Sequence, residues 1–393
     1  MKVLQLTKFY APAKGGIETV VLELSQGLSR CGIDVEVLCA GTELRTHHDA
    51  TPEGISITRA GSFGKFQSTS MAPALIRHAR RMASGVDVVH VHMPDPMAAL
   101  ALWAAKPTAK LVVHWHSDVV RQRAALRLYR PLQDWLLRRA DAIVATSEAY
   151  ARSSPWLQPW QDKTAVIPIG ISDHRGLSQP ETVRRIREHF GGREIVFALG
   201  RMTYYKGFDV LIAAAARIPE NCVIVVGGEG ELLEAYRAEA RRRGLASRIH
   251  FIGRIPDHEL ASHFDAATMF CLPSTHRAEA YGVVLLEAMA MGKPIIATQI
   301  PGSAVPWVNQ SEVTGLNVPI GDAAALASAV IRIGTNASCA ARFGKAARIR
   351  YEQCLGADRM VRSTMTLYAD LQSGRPQMFT GSPDAARRGG MPH

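Results

Sequence analysis

The chain has 393 residues, 47% hydrophobic and 21% charged, a globular composition long enough for two or three domains. Its formal net charge of +11 at pH 7 points to an anionic partner: nucleic acid, an anionic membrane surface or a phosphorylated ligand. Six cysteines scattered without a C-x-x-C pair argue against a disulfide framework or a cysteine zinc site, and no apolar run approaches a membrane span.

The N-terminal "MKVLQLTKFY" runs straight into a strand, with no signal-peptide pattern, so a cytoplasmic protein is expected. Short β-branched runs follow in the first half: "VLQL", "VEVLCA", "ISITRA", "VVHVH", "KLVVHWH", "AIVATS" and "AVIPIG". The second half repeats the rhythm with "EIVFALG", "CVIVVGG", "IHFIG", "MFCLPS", "PIIATQ" and "GLNVP". Helical patterns such as "IETVVLELSQGLSRCG" and "GELLEAYRAEARRRG" lie between them, with glycines as stops. Near-continuous apolar strands alternating with helices predict parallel sheets covered on both faces. The strands are too many for one compact sheet. The polar stretch 172–193 reads as a linker and a helix, so two doubly wound domains are predicted, 1–170 and 171–355. Residues 356–373 read as a terminal helix packing back toward the N-terminal domain. Residues 374–393, rich in Gly, Pro and Arg, read as a disordered tail. Ligands of such sheets bind outside the carboxyl ends of the strands, so the cleft between the domains is the expected site.

Several segments can carry chemistry. In "APAKGGIETVV", Gly15 and Gly16 would let backbone N–H groups at a helix start approach an anion; a plain tight turn fits equally. Much of the basic excess lies in 75–140, and in "VVRQRAALRLYRPLQDWLLRRA" arginines alternate with Leu, Trp and Tyr at helical spacing, which suits either a solvated helix face or a surface touching anionic lipid headgroups. "VVHVHMPDP" and "VVHWHSDVV" end two strands with H-x-H. Alternation puts His90 and His92 on one face, and likewise His114, His116 and Asp118. Zinc is set aside, because no Cys or His cluster supplies further ligands near either run. His116 reads as a cleft residue bonding a polar substrate, His90 and His114 as satisfied core residues. In "ALGRMTYYKGFDVLI", Arg201 and Lys206 follow a strand and could clamp a diphosphate; two solvated loop cations are the plainer reading. "VVGGEGELLEA" is half of a dinucleotide fingerprint and reads better as a tight strand-to-helix turn.

"RAEAYGVVLLEAMAMGKP" carries Glu279 just before a predicted helix and Glu287 within it. Were both helical, they would lie about 12 Å apart along the axis. Glycosidase carboxylates stand about 5 to 9.5 Å apart across one bond. This pair suits two ends of one long ligand better, with the helix start at Gly282, Val283 and Val284 offering N–H groups between them. A surface acid at 279 and a structural acid at 287 remain the alternative.

These motifs, in this order, resemble the retaining GT-B glycosyltransferases of the family 4 type. "EAYGVVLLE" resembles the family's E-x7-E signature, "GGIE" its N-terminal glycine loop and "WHSD" its cleft histidine. "GRMTYYKG" resembles its phosphate clamp and "HFIGRIPDHEL" its base-binding turn. The resemblance covers most of 1–320 and implies an α/β GT-B fold, two Rossmann-like domains facing a central cleft. By the same resemblance, Arg201 and Lys206 would hold the leaving diphosphate, without a metal ion or other cofactor. Glu279 would meet the donor sugar and Glu287 the ribose. Amides from Gly282 to Val284 would support the phosphate or sugar, and those at Gly15 and Gly16 the diphosphate. His116 would sit at the donor sugar near the reacting face. Ile255, through its backbone, and Asp257 would meet the base. Tyr281 stands where phenylalanine is frequent, and "IPGSAVPWVNQ", with Pro306, replaces a stretch that usually holds an acid.

The resemblance implies transfer of a hexose, first of all mannose from GDP-mannose, to a lipid-linked saccharide or other glycan acceptor of surface polysaccharide or O-antigen assembly. UDP- and dTDP-sugars stay open as donors. The expected partners are the nucleotide-sugar, the acceptor and an anionic membrane surface, with no nucleic acid. A non-catalytic nucleotide-sugar binder and an NAD enzyme using "VVGGEG" are the rival readings.

Overall fold

The computed structural model describes residues 1–66, 69–118 and 123–375. They fold into two units: Met1–Ile171 together with the segment that starts at Ala357, and Ser172–Gly356. The tail predicted to be disordered lies outside the described residues from position 376 onward, as do residues 119–122 of the basic stretch.

The first unit is built on an eight-stranded sheet. Its strands in chain order are β1 (Lys2–Thr7), β2 (Asp34–Ala40), β3 (His47–Ala50) and β4 (Ser56–Ala60), then β7 (Val88–Met93), β8 (Lys110–Trp115), β9 (Ala142–Ala145) and β10 (Thr164–Val166); β5 (Lys65–Phe66) and β6 (Thr69–Ser70) form a separate small hairpin. The sheet order is β10-β9-β8-β7-β1-β2-β4-β3, parallel except where β3 runs against β4. β3, "HHDA", was not predicted; all four of its residues are exposed, so it lacks the apolar signal that marked the others. The helices are α1 (Gly16–Arg30), α2 (Ala74–Met82), α3 (Pro96–Ala105), α4 (Arg123–Arg139) and α5 (Glu148–Ser153).

β1 and β7 are buried almost throughout, as expected of strands covered on both faces. Within that apolar wall, Gln5, His90 and His92 are polar and fully or almost fully buried. Register sets Gln5 beside His90 and His92 beside His114. The C-terminal helix, Ala357–Ser373, closes over this unit, and Gly27 of α1 makes room for it: a Cβ there would fall 2.3 Å from Val361 Cγ2.

The second unit has six strands, all parallel: β11 (Glu194–Leu199), β12 (Cys222–Gly227), β13 (Ile249–Gly253), β14 (Met269–Leu272), β15 (Ile295–Thr298) and β16 (Gly315–Val318), in the order β13-β12-β11-β14-β15-β16. Its helices are α6 (Pro180–His189), α7 (Phe208–Ala215), α8 (Leu233–Arg242), α9 (Asp257–Ala266), α10 (Val283–Ala290), α11 (Val305–Val308), α12 (Ala323–Gly334) and α13 (Ala337–Arg350); the C-terminal helix is α14. A core of Phe208, Leu211, Ile212, Ile224, Leu326 and Phe343 locks helices to one face.

Strand order reverses between β1 and β7 in the first unit and between β11 and β14 in the second. At such points the connections leave in opposite directions and open a crevice at the carboxyl ends of the strands. The segments after β1, β11 and β14 hold Gly15 and Gly16, Arg201 and Lys206, and Glu279.

Candidate active site

Lys206 and Glu279 come from different strand exits. After β11 the chain passes Gly200 and Arg201 into a 3-10 turn at Tyr204–Lys206. Gly207 follows with φ +70°, and a Cβ there would fall 2.0 Å from the Pro273 carbonyl oxygen. Only glycine allows both that bend and that approach to the exit of β14. The Thr275 amide then donates to the Tyr205 carbonyl at 2.8 Å. Gly200 leaves space for the lysine stem, since a Cβ there would meet Lys206 Cε at 3.2 Å.

The result is a buried ion pair. Lys206 Nζ lies 2.6 Å from Glu279 Oε2, which also accepts from Ser274 Oγ at 2.9 Å. Both residues are buried, at 9% and 8% exposure. Ser303 Oγ donates to the Glu279 carbonyl at 2.5 Å, and the Ala304 amide to that of Ala280 at 2.8 Å. Burial opposes the Lys206 charge, but Glu279 beside it more than offsets this and holds the ammonium above its ordinary pKa. Exposed Arg201 acts in the opposite direction on Lys206.

Around the pair, Gly282 takes φ +76° and opens α10, packed by Leu272, Leu285 and Val305. Val283 and Val284 form the half-buried first turn of that helix, and Glu287 lies half-buried further along it. The bend at Gly282 means that Glu279 and Glu287 do not share one helix. Ile255 turns its side chain onto Gly227, where a Cβ would meet its Cδ1 at 2.5 Å. Its backbone is therefore what it can offer a ligand. Asp257 begins α9. The glycines of "VVGGEG" have a packing role: Gly228 has φ +122°, and a Cβ on it would fall 2.0 Å from the Gly200 carbonyl oxygen, against the loop that carries Arg201.

In the first unit, α1 begins at Gly16 with Gly15 before it. A Cβ on Gly15 would fall 2.2 Å from Glu18 Oε2, so a carboxylate already lies over this helix start. β7 and β8 are neighbours, and this corrects the premise on which a histidine cluster was set aside. His90, His92, His114 and His116 form one stack, with His114 and His116 4.1 Å apart between ring centroids and His90 and His92 4.8 Å apart. His90 and His114 are not satisfied core residues either. Among the described residues, neither ring nitrogen of His114 nor Nε2 of His90 has a partner. Nitrogens of His90, His92 and His114 come within 4.8 Å of one another. Ligands of a tetrahedral zinc stand about 3.4 Å apart. His92 already uses both nitrogens, with Gln5 Oε1 at 2.8 Å and His116 Nε2 at 2.9 Å. Burial lowers the pKa of all four, that of His114 to about 3. Asp118 leaves the stack to accept from the Trp115 indole at 2.9 Å and Ser154 Oγ at 2.7 Å.

Comparison with known proteins adds the family. Residues 15–170 match the family described as "Glycosyl transferase 4-like domain" and residues 180–350 "Glycosyl transferases group 1". The chain is 34% identical to the O-antigen chain mannosyltransferase C of Escherichia coli, over 94% of this chain and 99% of that protein. The chain belongs to the group 1 glycosyltransferases. This glycosyltransferase is also 34% identical to the D-rhamnosyltransferase WbpZ of Pseudomonas aeruginosa, over 91% and 93% of the two chains. Its fold is GT-B. It superposes on the sucrose-phosphate synthase of Thermosynechococcus elongatus with a TM-score of 0.79 at 24% identity, over 95% of this chain and all of the other.

Two serines of this glycosyltransferase escaped the sequence reading. Ser274 and Ser303 hold the side chain and the carbonyl of Glu279. Ser303 lies in the stretch where the usual acid is missing, and no spacing rule marks it. Gln5 carried a visible signal, a lone amide in an apolar strand.

Proposed function

We propose that this glycosyltransferase moves a hexose, first of all mannose from GDP-mannose, from a nucleoside diphosphate to a hydroxyl of a lipid-linked saccharide in O-antigen or related surface polysaccharide synthesis. The buried Lys206–Glu279 pair at the carboxyl ends of β11 and β14 carries the reading. The relatives named for mannosyl and D-rhamnosyl transfer support the sugar, because D-rhamnose is 6-deoxymannose and both share one ring configuration.

An ammonium has three N–H donors. One is engaged by Glu279, which leaves two for a diphosphate, with Arg201 as the second cation. Glu279 would accept from sugar hydroxyls. The first turn of α10 would support the phosphate or sugar, and Glu287 the ribose. The Ile255 backbone and Asp257 would meet the base. The amides at Gly15 and Gly16 would approach the diphosphate, and His116 a sugar hydroxyl. The acceptor oxygen forms a bond to the anomeric carbon as the bond to the phosphate oxygen breaks, and the electron pair leaves with the nucleoside diphosphate. The acceptor proton passes to the departing phosphate oxygen on the same face, giving retention. Two protein cations stand in for a divalent ion, so turnover should survive EDTA.

No helix among the described residues is long and apolar enough to cross a membrane. Exposed Arg77, Arg80 and Arg81 on α2 and Arg130 and Arg138 on α4 support peripheral binding to an anionic membrane at its cytoplasmic face. Vesicles with anionic lipid should retain the protein at low salt and release it at high salt.

The deciding experiment is a nucleotide-sugar panel with membrane lipid extract as acceptor, read by nucleotide release and product mass. Transfer from GDP-mannose, lost in Glu279→Ala and Lys206→Ala, is expected. Transfer from UDP- or dTDP-sugars alone would replace the donor. Tight nucleotide-sugar binding with no transfer would leave a non-catalytic binder.

A further inference from the structure

The histidine stack contains a hydrogen-bonded chain with a direction. His116 Nε2 lies 2.9 Å from His92 Nδ1, and His92 Nε2 lies 2.8 Å from Gln5 Oε1. Gln5 Nε2 lies 3.5 Å from the Tyr368 hydroxyl, which lies 2.5 Å from His90 Nδ1. Gln5, His90 and Tyr368 are wholly buried, His92 is 1% exposed, and only His116 at the end reaches 5%. The chain thus links β1, β7 and α14 and ends at the residue that follows β8.

With Gln5 Oε1 facing His92, the protons along this chain can be placed in one way. An amide oxygen carries no hydrogen, so the hydrogen between Gln5 and His92 belongs to His92 Nε2. A neutral imidazole has one N–H, so His92 Nδ1 is a lone pair. The hydrogen between His92 and His116 therefore belongs to His116 Nε2, and His116 Nδ1 is left as an acceptor. No partner for that Nδ1 is found among the described residues. The other end agrees. The Gln5 amide N–H donates to the Tyr368 oxygen, and the Tyr368 proton goes to His90 Nδ1. Burial keeps the rings neutral, which removes the doubly protonated form from consideration. Turning the Gln5 amide over would reverse every bond and make His116 Nδ1 a donor.

We propose that Gln5 and His92 are positioning residues that hold His116 as its Nε2–H tautomer, so that His116 Nδ1 accepts a hydrogen bond from a hydroxyl of the sugar substrate. The proposal rests on the reading of His116 as a sugar-binding residue. Gln5 is the element that sets the direction, since it is the one member with a donor and an acceptor at different atoms that cannot exchange a proton. An acceptor at His116 selects a substrate hydroxyl as donor and orients its lone pairs away from the protein.

The test has two independent readouts. In the full-length protein labelled with 15N-histidine, long-range 1H–15N correlation spectra at neutral pH should show His92 and His116 as Nε2–H tautomers. An Nδ1–H tautomer at His116 would overturn the proposal without any reference to activity. His92→Leu should release the tautomer and lower kcat/KM about tenfold, the scale of one lost oriented hydrogen bond. His92→Gln offers an amide oxygen to His116 and an amide N–H to Gln5, and should restore both the tautomer and the rate. The His116 tautomer, which a purely structural role would not move, separates positioning from folding. An unchanged His116 tautomer in His92→Leu would also overturn the proposal. A correct tautomer with full transfer by His92→Leu would remove its catalytic role. If the wild-type protein transfers no sugar at all, the proposed activity fails while the tautomer result stands.

Discussion

In the second unit a lysine and a carboxylate share a buried site as an ion pair; in the first, four histidines share one as neutral rings. Burial opposes charge in both places. At Lys206 a carboxylate 2.6 Å away outweighs that penalty and the ammonium persists. In the histidine stack the near neighbours are an amide, a phenol and other imidazoles, none of which offers a negative charge, so each ring gives up its proton. Charge is retained where the fold supplies an opposite charge and removed where it supplies none.

Acid should break this contrast first. Well above pH 6.5 the histidines are neutral folded and unfolded, so they contribute no pH dependence. Below it the unfolded chain binds protons that the fold refuses, so stability falls as pH falls, for His114 down to about pH 3. Each such histidine costs up to about 1.4 kcal/mol per pH unit below about pH 6.5. Urea unfolding at pH 7 and 5.5 should show the loss, and a flat profile would mean that the stack takes up protons in the fold.

The ion pair should fail next. Glu279→Ala leaves a buried lysine without its partner and should cost about 3–5 kcal/mol by denaturant unfolding. Lys206→Met combined with Glu279→Leu should recover most of that stability while transfer stays absent. Stability lost in the double variant as well would show that packing, not charge, holds this site together.

The bend that brings the two exits together is a further point of failure. Gly207→Ala costs on the order of 1–3 kcal/mol for its left-handed conformation, and the Cβ that would fall 2.0 Å from the Pro273 carbonyl oxygen forces the backbone to shift as well. Turnover should fall more than stability, because Lys206 moves with the bend; equal losses would argue against a positioning role. Least of all, Tyr368→Phe removes one buried hydroxyl and should cost about 1 kcal/mol. The His116 tautomer should remain, since the Gln5–His92 bond is untouched.

Most of the strands were legible because buried parallel strands read as short apolar runs, and the two-unit order follows from their alternation with helices. β3 was not, because an exposed polar edge strand carries no such run. Lys206, Glu279, Arg201 and His116 stood out as charged or polar residues at strand exits. That Lys206 and Glu279 touch did not, since 73 positions separate them and the contact depends on β11 and β14 being neighbours at a switch point.

The amino-acid order by itself determined most of the strands, where the glycine bends fall and which residues are candidates for chemistry, because those are matters of local pattern and side-chain type. The tertiary structure decided which of those residues answer to one another. Gln5 and Tyr368 lie 363 positions apart and meet only because α14 packs back over β1 and β7. The two H-x-H runs become one stack only because β7 and β8 pair in register. Protonation follows from these meetings, since a buried group keeps or loses its charge according to the neighbours that the fold supplies.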